Sequence, residues 1–200
     1  MRPDLDIIAA LINPGARVLD LGCGGGELLH HLAREKRVNG YGVEKDPEQI
    51  SACVRAGVNV IEHDLDAGLG RFPDSSFDMV VMTETLQAVA APGDLIDEML
   101  RIGEECVVTF PNFGHWRCRL QLATQGRMPV ASHLPHQWHD TPNIHLCTFR
   151  DFERLVTDKG LPMIERFVVD GHYQVRRGIS RFANLIGTIA FYRLGRARSG

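Results

Sequence analysis

The sequence is poor in the features that would tie it to a membrane, a disulfide scaffold or a nucleic acid. No apolar run is long enough to span a bilayer: the longest one near the end, Leu185 to Tyr192, already contains Gly187 and Thr188. Residue 1 is Met and no basic-then-apolar leader follows it, so neither a signal peptide nor a transmembrane helix is expected. Cysteines number five (23, 53, 106, 118 and 147), an odd count with no Cys-x-x-Cys. That argues against a disulfide framework and for reduced core residues in a cytoplasmic protein. The net charge is only −3, with 44% apolar and 24% charged residues, which fits an ordinary folded domain and not a general nucleic-acid binder. The balance hides an asymmetry. Residues 1–100 carry 8 Lys/Arg against 17 Asp/Glu, a net −9, and residues 101–200 carry 14 against 8, a net +6. Internal repeats, low-complexity segments and an interdomain linker are also missing.

What is present centres on residues 16–32. Apolar Val18, Leu19 and Leu21 flank Asp20, then Gly22, Gly24, Gly25 and Gly26 fall within five positions, and Leu28, Leu29 and Leu32 follow at helical spacing. This reads as a buried strand, a glycine turn and the start of a helix. Glycine lets a ligand approach the backbone closely, and the helix N-terminus offers N–H groups to an anionic or electron-rich ligand. The dinucleotide fingerprint fails, because its sixth position, counted from Gly22, is Glu27. The phosphate-cradling loop fails too, for want of Gly-Lys-Ser/Thr. What remains is an acid followed by spaced glycines: Asp20, Gly22, Gly24 and Gly26.

The rest of the chain alternates strand and helix patterns. A first amphipathic helix spans residues 4–12, with Asp4 as its cap, before the turn Asn13-Pro14-Gly15. A helix over 27–36 follows the first strand. Tyr41 to Glu44 is a second strand ending in a carboxylate 24 residues after Asp20, where an acid can accept ribose hydroxyls. Asp46, Pro47 and Gln49 then start a helix that Gly57 stops. Val58 to Leu65 is a third strand and its exit, Met79 to Met82 a fourth, Pro92 to Ile102 a helix, and Cys106 to Phe110 a fifth strand. Strands alternating with helices in this way give a mostly parallel, doubly wound α/β sheet.

Residues 111–147 break the rhythm. They hold both Trp and five of the nine His, punctuated by Pro and Gly, and read as an irregular lid or binding loop after the fifth strand. Thr148 and Asp151 then begin a helix whose apolar face is Phe149, Phe152, Leu155 and Val156. Residues 162–169 form a strand. An arginine-rich connection (Arg176, Arg177, Arg181) leads to a last strand over 186–194.

The acid-and-glycine motif resembles the first motif of class I S-adenosylmethionine (SAM) dependent methyltransferases. Glu44 stands where that family keeps its ribose-binding acid. Asp64 matches the acid that pairs with the adenine amino group, and Leu65 the residue lying against the ring. Pro73-Asp74-Ser75-Ser76-Phe77-Asp78 is similar to the family's turn into the fourth strand, and Thr83 and Glu84 leave that strand where the methionine part of SAM lies. The resemblance covers nearly the whole chain. It implies a seven-stranded, mostly parallel Rossmann-like sheet over a single domain of residues 1–200, with 111–147 as a lid or partner-binding insertion. It also implies SAM or S-adenosylhomocysteine as cofactor, held by Asp20, Gly22, Cys23, Gly24, Gly26, Glu44, Lys45, Asp64, Leu65, Thr83 and Glu84.

The second half resembles the methionine-biosynthesis family MetW. The strings that carry this are residues 110–117 (Phe-Pro-Asn-Phe-Gly-His-Trp-Arg), 126–129 (Gly-Arg-Met-Pro) and 141–148 (Thr-Pro-Asn-Ile-His-Leu-Cys-Thr). That family is associated with homoserine O-acyltransferase, so the resemblance implies a helper or regulatory subunit of a MetX-type enzyme; self-association stays open. The chain has no Gly-x-Ser-x-Gly elbow, so an acyl-enzyme by that route is not expected.

Whether the chain transfers a methyl group itself is a separate matter. Small-molecule methyltransferases often carry a His after the fourth strand, where this chain has Gln87, which cannot take a proton near neutral pH. Candidate catalytic residues are therefore Gln87, His115 and His145. His133, His136 and His139, with His145 and Cys147 nearby, do not match a zinc-enzyme motif, and no metal is expected.

Overall fold

Val18, Leu19 and Leu21 are completely buried, because the strand they form lies in the middle of a seven-stranded sheet. The computed structural model describes residues 3–169 and 182–196, with the side chains of residues 3 and 4 left aside. The arginines at 176, 177 and 181 and the Asp4 side chain thus lie outside what is described, and the first helix already begins at Pro3, one residue before the expected Asp4 cap.

The chain runs α1 (Pro3–Leu11), β1 (Arg17–Leu21), α2 (Glu27–Lys36), β2 (Asn39–Glu44), α3 (Pro47–Arg55), β3 (Asn59–Glu62), β4 (Phe77–Thr83), α4 (Pro92–Ile102) and β5 (Gly103–Pro111). It continues with α5 (Trp116–Gln125), α6 (Phe149–Asp158), β6 (Met163–Val169), α7 (Ala183–Ile186) and β7 (Ile189–Gly195). One-turn 3-10 helices at Leu65–Ala67 and Leu86–Ala88 follow β3 and β4. The strand order is β3-β2-β1-β4-β5-β7-β6. β1 to β5 are parallel, and β7 pairs antiparallel with both β5 and β6. This is the mostly parallel, seven-stranded α/β sheet expected.

Alternate residues of each strand enter opposite cores. Leu19, Leu21, Val80, Met82, Val108, Phe110 and Tyr192 face α4 and α6. Val18, Met79, Val81, Val107 and Phe191 face α1 and α2. Each helix meets the sheet with one apolar stripe: α2 buries Leu28, Leu29 and Leu32, and α6 buries Phe149, Phe152 and Val156. Under α6 the rings of Phe152 and Tyr192 lie 4.6 Å apart, and those of Phe110 and Phe152 5.0 Å apart.

Two stretches differ from the sequence reading. Residues 111–147 are not irregular throughout, since α5 occupies ten of them. Its only fully buried side chain is Cys118, so it has no apolar stripe for a periodicity to reveal. The last strand begins at Ile189 instead of residue 186, because Ile186 closes the short α7 and Gly187 follows it.

Candidate functional site

In an open doubly wound sheet the ligand crevice lies beyond the carboxyl ends of the strands, where the strand order reverses. Here that point is between β1 and β4. Three loops converge on it. The first is the glycine turn after β1. Gly22, Gly24 and Gly26 have φ of +72°, +52° and +78°, the left-handed region that side chains rarely adopt. A Cβ on Gly22 would also come within 2.5 Å of Thr85 Oγ1. Gly26 opens α2 without any side-chain cap, which leaves the helix start to backbone N–H groups.

The second loop follows β2. The Glu44 carboxylate is held by the backbone: Gly24 N–H donates to Oε2 at 2.9 Å, and Lys45 and Asp46 N–H donate to Oε1 at 2.8 and 3.0 Å. Oε1 accepts two of these bonds and Oε2 one, so Glu44 is pre-oriented and Oε2 keeps a lone pair for a ligand hydroxyl. The Gly22 and Cys23 N–H groups donate to Val43 O at 2.8 and 3.1 Å, which ties the glycine turn to the same strand end.

The third region joins the exits of β3 and β4. Asp64 caps the first 3-10 turn, accepting from Asp66 N–H at 3.1 Å, and pairs with Lys45 at 3.7 Å. Glu84 has φ +53°, a strained value for a non-glycine residue, and its N–H donates to Thr109 O at 3.0 Å. Together these elements enclose a cavity of about 180 Å³, lined by Gly22, Glu44, Lys45, Asp64 and Leu65, and also by Val43, His63, Asp66, Thr85, Ala88 and Val89. The last six were not singled out in the sequence. Ala88 ends a single 3-10 turn that Thr85 and Val89 flank, and such a turn has too few residues to show a period.

Asp20, Cys23, Gly24, Gly26, Thr83 and Glu84 lie outside the cavity lining. Asp20 is buried on β1, 2% exposed. Burial, and then the nearness of Asp20 and Cys53, push the Cys23 thiol far up and keep it protonated. The residues present fit a nucleoside-bearing cofactor: an acid fixed at the end of β2, a second at the end of β3, an apolar Leu65 beside it, and a glycine edge that a Cβ would fill.

The three candidate catalytic residues go elsewhere. Gln87 is 1% exposed; its Nε2 donates to Pro111 O at 3.4 Å and its own carbonyl accepts from Ile144 and His145 N–H at 2.9 and 3.0 Å. It therefore ties the 111–147 segment to the end of β4. His145 Nε2 lies 3.3 Å from Ala90 O. His115 caps α5, its Nδ1 accepting from Arg117 N–H at 3.3 Å. Burial, with His133 beside it, holds the His115 imidazole down at about 4 and therefore neutral near pH 7.

The family model described as methionine biosynthesis protein MetW matches residues 2–194. The chain belongs to the MetW family. Among curated relatives, the chain matches at 38% identity a "Bifunctional methionine biosynthesis protein MetXA/MetW" of Rhodopirellula baltica, over 76% of this chain and 26% of that protein. It thus spans about a quarter of that relative's length. A ubiquinone biosynthesis O-methyltransferase of Erwinia tasmaniensis is 28% identical over 84% of this chain and 71% of its own. Among solved structures, a SAM-dependent methyltransferase of Thermotoga maritima, a possible histamine N-methyltransferase, superposes with a TM-score of 0.69 at 19% identity, covering 98% of this chain and 88% of its own. At that identity the likeness speaks for the fold alone, and the fold does not fix the chemistry. Among the described residues no helix is long and apolar enough to cross a membrane.

Proposed function

We propose that this MetW chain binds SAM or S-adenosylhomocysteine in the cavity between the ends of β1 and β4 and acts as a partner subunit of a MetX-type homoserine O-acyltransferase. When bound, SAM supplies a sulfonium group and an electrophilic methyl carbon. Glu44 accepts the ribose hydroxyls, Asp64 pairs with the adenine amino group, and Leu65 packs against the ring. Asp20, Thr83 and Glu84 serve the methionine end, with Cys23, Gly24, Gly26 and Lys45 shaping the edge. SAM lies downstream of methionine, so its occupancy reports the output of the pathway in which the acyltransferase acts.

The observation that carries the partner reading is the Rhodopirellula protein whose name joins MetXA to MetW in one chain. The surface supports it. Trp116, Leu120, Leu122, Met128, Val130, Trp138, Ile144 and Leu146 are all exposed within 111–147, with Trp138 at 74%. Exposed apolar side chains gathered on one segment are what a protein partner would cover. The segment bonds to the Gln87 carbonyl, next to the cavity-lining Ala88, so the two sites share one short stretch of backbone through which either can bias the other.

The test is calorimetric titration of the protein with SAM and with S-adenosylhomocysteine, alone and with the acyltransferase. The expected result is binding whose affinity changes with the partner, together with a matching reciprocal effect of SAM on complex formation. Failure to bind either ligand, with no effect on acyl transfer, overturns the reading. A second reading, methyl transfer to a small molecule, is favoured by the match to the Erwinia O-methyltransferase. It predicts S-adenosylhomocysteine production with some acceptor, lost in Asp20→Ala and Glu44→Ala.

A further inference from the structure

We propose that His115, Cys118 and His133 form a three-ligand site for a divalent transition metal of the zinc class, with a fourth position open to the adjoining cavity. His115 caps α5 and Cys118 lies three residues on, so both project from one face of its first turn. His133 arrives from a tight turn, closed by reciprocal Ala131 and Leu134 backbone bonds of 2.9 Å each. One donor atom from each of the three lies within 4.8 Å of the others. Cys118 Sγ is 3.8 Å from His133 Nε2, and the two imidazole rings meet edge to face with centroids 5.3 Å apart.

The spacing is close to what a metal needs. Zn–S near 2.3 Å and Zn–N near 2.0–2.1 Å put tetrahedral ligand atoms about 3.5 Å apart, so small side-chain rotations close the site. Two imidazoles and a thiol select zinc over magnesium or calcium, whose ligands are oxygens. Cys118 and His115 are 2% and 7% exposed, so the donors are already sheltered. As the metal–sulfur bond forms, the Cys118 thiol proton leaves to solvent, and no electron is transferred. His133 Nε2 gives up its 3.3 Å contact with Asn112 O on turning to the metal, and its proton passes through solvent to Nδ1, so the neutral ring offers the Nε2 lone pair. Three protein ligands leave one position for water or a small donor. It would face a cavity of about 560 Å³ that shares no lining residue with the Glu44 cavity.

Sequence spacing groups His133 with His136 and His139, whereas its partners in the fold lie 18 and 15 residues earlier. The usable signal was His115-x-x-Cys118 at the start of a helix. Among the described residues this is the cluster able to hold a metal.

The test uses chelator-stripped full chain titrated with Co²⁺, followed by Zn²⁺ competition. The expected result is saturation at one equivalent, with a thiolate-to-cobalt charge-transfer band that Zn²⁺ abolishes. Cys118→Ser loses the band, and His133→Asn weakens uptake at least tenfold, both keeping the wild-type circular dichroism. X-ray absorption of the zinc-loaded wild type reads the site without any variant: one sulfur near 2.3 Å and two nitrogens near 2.0–2.1 Å. Absence of the band at micromolar protein, or a band that persists in Cys118→Ser, overturns the proposal. SAM titration of the same samples keeps this outcome separate from the fate of the cofactor site.

Discussion

Glu44 concentrates the cofactor argument in one side chain. Three backbone N–H groups hold its carboxylate in place before any ligand arrives. Glu44→Ala removes both the ribose acceptor and the tie to Gly24. A hydrogen bond to a charged group contributes about 1.5–3 kcal/mol, so SAM affinity should fall by roughly 10- to 150-fold in calorimetry. An unchanged affinity would show that the nucleoside lies elsewhere. Gly22 tests the other wall. Gly22→Ala places a Cβ at φ +72° and against Thr85 Oγ1, so it combines backbone strain with a clash. The expected cost is about 1–3 kcal/mol of stability in denaturant titration, along with weaker SAM binding. Adding Thr85→Ala should restore part of the loss but not all of it, because the clash is relieved and the strain is not. Full additivity would mean that Thr85 and Gly22 are not in contact. Gly22 and Glu44 are legible in the sequence because each lies at or just beyond the end of a strand, whereas Asp64 is singled out only by the methyltransferase resemblance; all three line the cavity. Sequence reading could not reach Thr85 or Val89, which the 3-10 turn folds over the cavity.

At the scale of elements, caps and glycines carried more information than apolar periodicity. The helix after Thr148 was visible from Thr148 and Asp151, and both halves of the capping box are formed. The Thr148 hydroxyl accepts from Asp151 N–H at 3.3 Å, and the Asp151 carboxylate accepts from Thr148 N–H at 3.1 Å. That cap sets the angle at which Phe149 and Phe152 enter the core beside Tyr192. Thr148→Ala should therefore cost about 1 kcal/mol and lower Tm by roughly 2–4 °C for a chain of this size, measured by calorimetric melting. A larger loss would mean that the cap also holds the 141–147 segment in place. Helix α5 shows the opposite case. Its sequence, Trp-Arg-Cys-Arg-Leu-Gln-Leu-Ala-Thr-Gln, contains good helix formers, but Leu120 and Leu122 remain exposed and only Cys118 is fully buried. A helix with no core-facing stripe leaves no period to read. The antiparallel placement of β7 between β5 and β6 was equally hidden, because strand neighbours are chosen by tertiary packing.

At the scale of the whole molecule, the sheet end opposite the cofactor cavity is fastened by ion pairs. Arg17, at the start of β1, donates its backbone N–H to Asp78 Oδ2 and its guanidinium to Oδ1, both at 2.7 Å, joining β1 to β4. Arg101 on α4 donates to Glu98 at 2.9 Å and to the Phe72 and Leu69 carbonyls at 3.0 and 3.1 Å, clasping the turn that leads into β4. The hydrogen bonds from Arg17 hold the Asp78 carboxyl below its ordinary 3.8, and those from Arg101 hold Glu98 below its ordinary 4.5. Both groups are more acidic folded than unfolded. The stability they contribute is therefore complete above about pH 4.5 and is lost as pH falls through their folded values, where the unfolded chain binds more protons. Asp78→Asn should lower stability at pH 7 and shrink the difference between pH 6 and pH 3, read by urea titration at each pH. Because the Arg17 pair is about half exposed, added salt should reduce the same difference in the wild type. A variant whose acid sensitivity equals the wild type's would place the acid-labile seam elsewhere, with the Arg101–Glu98 clasp the next to cut.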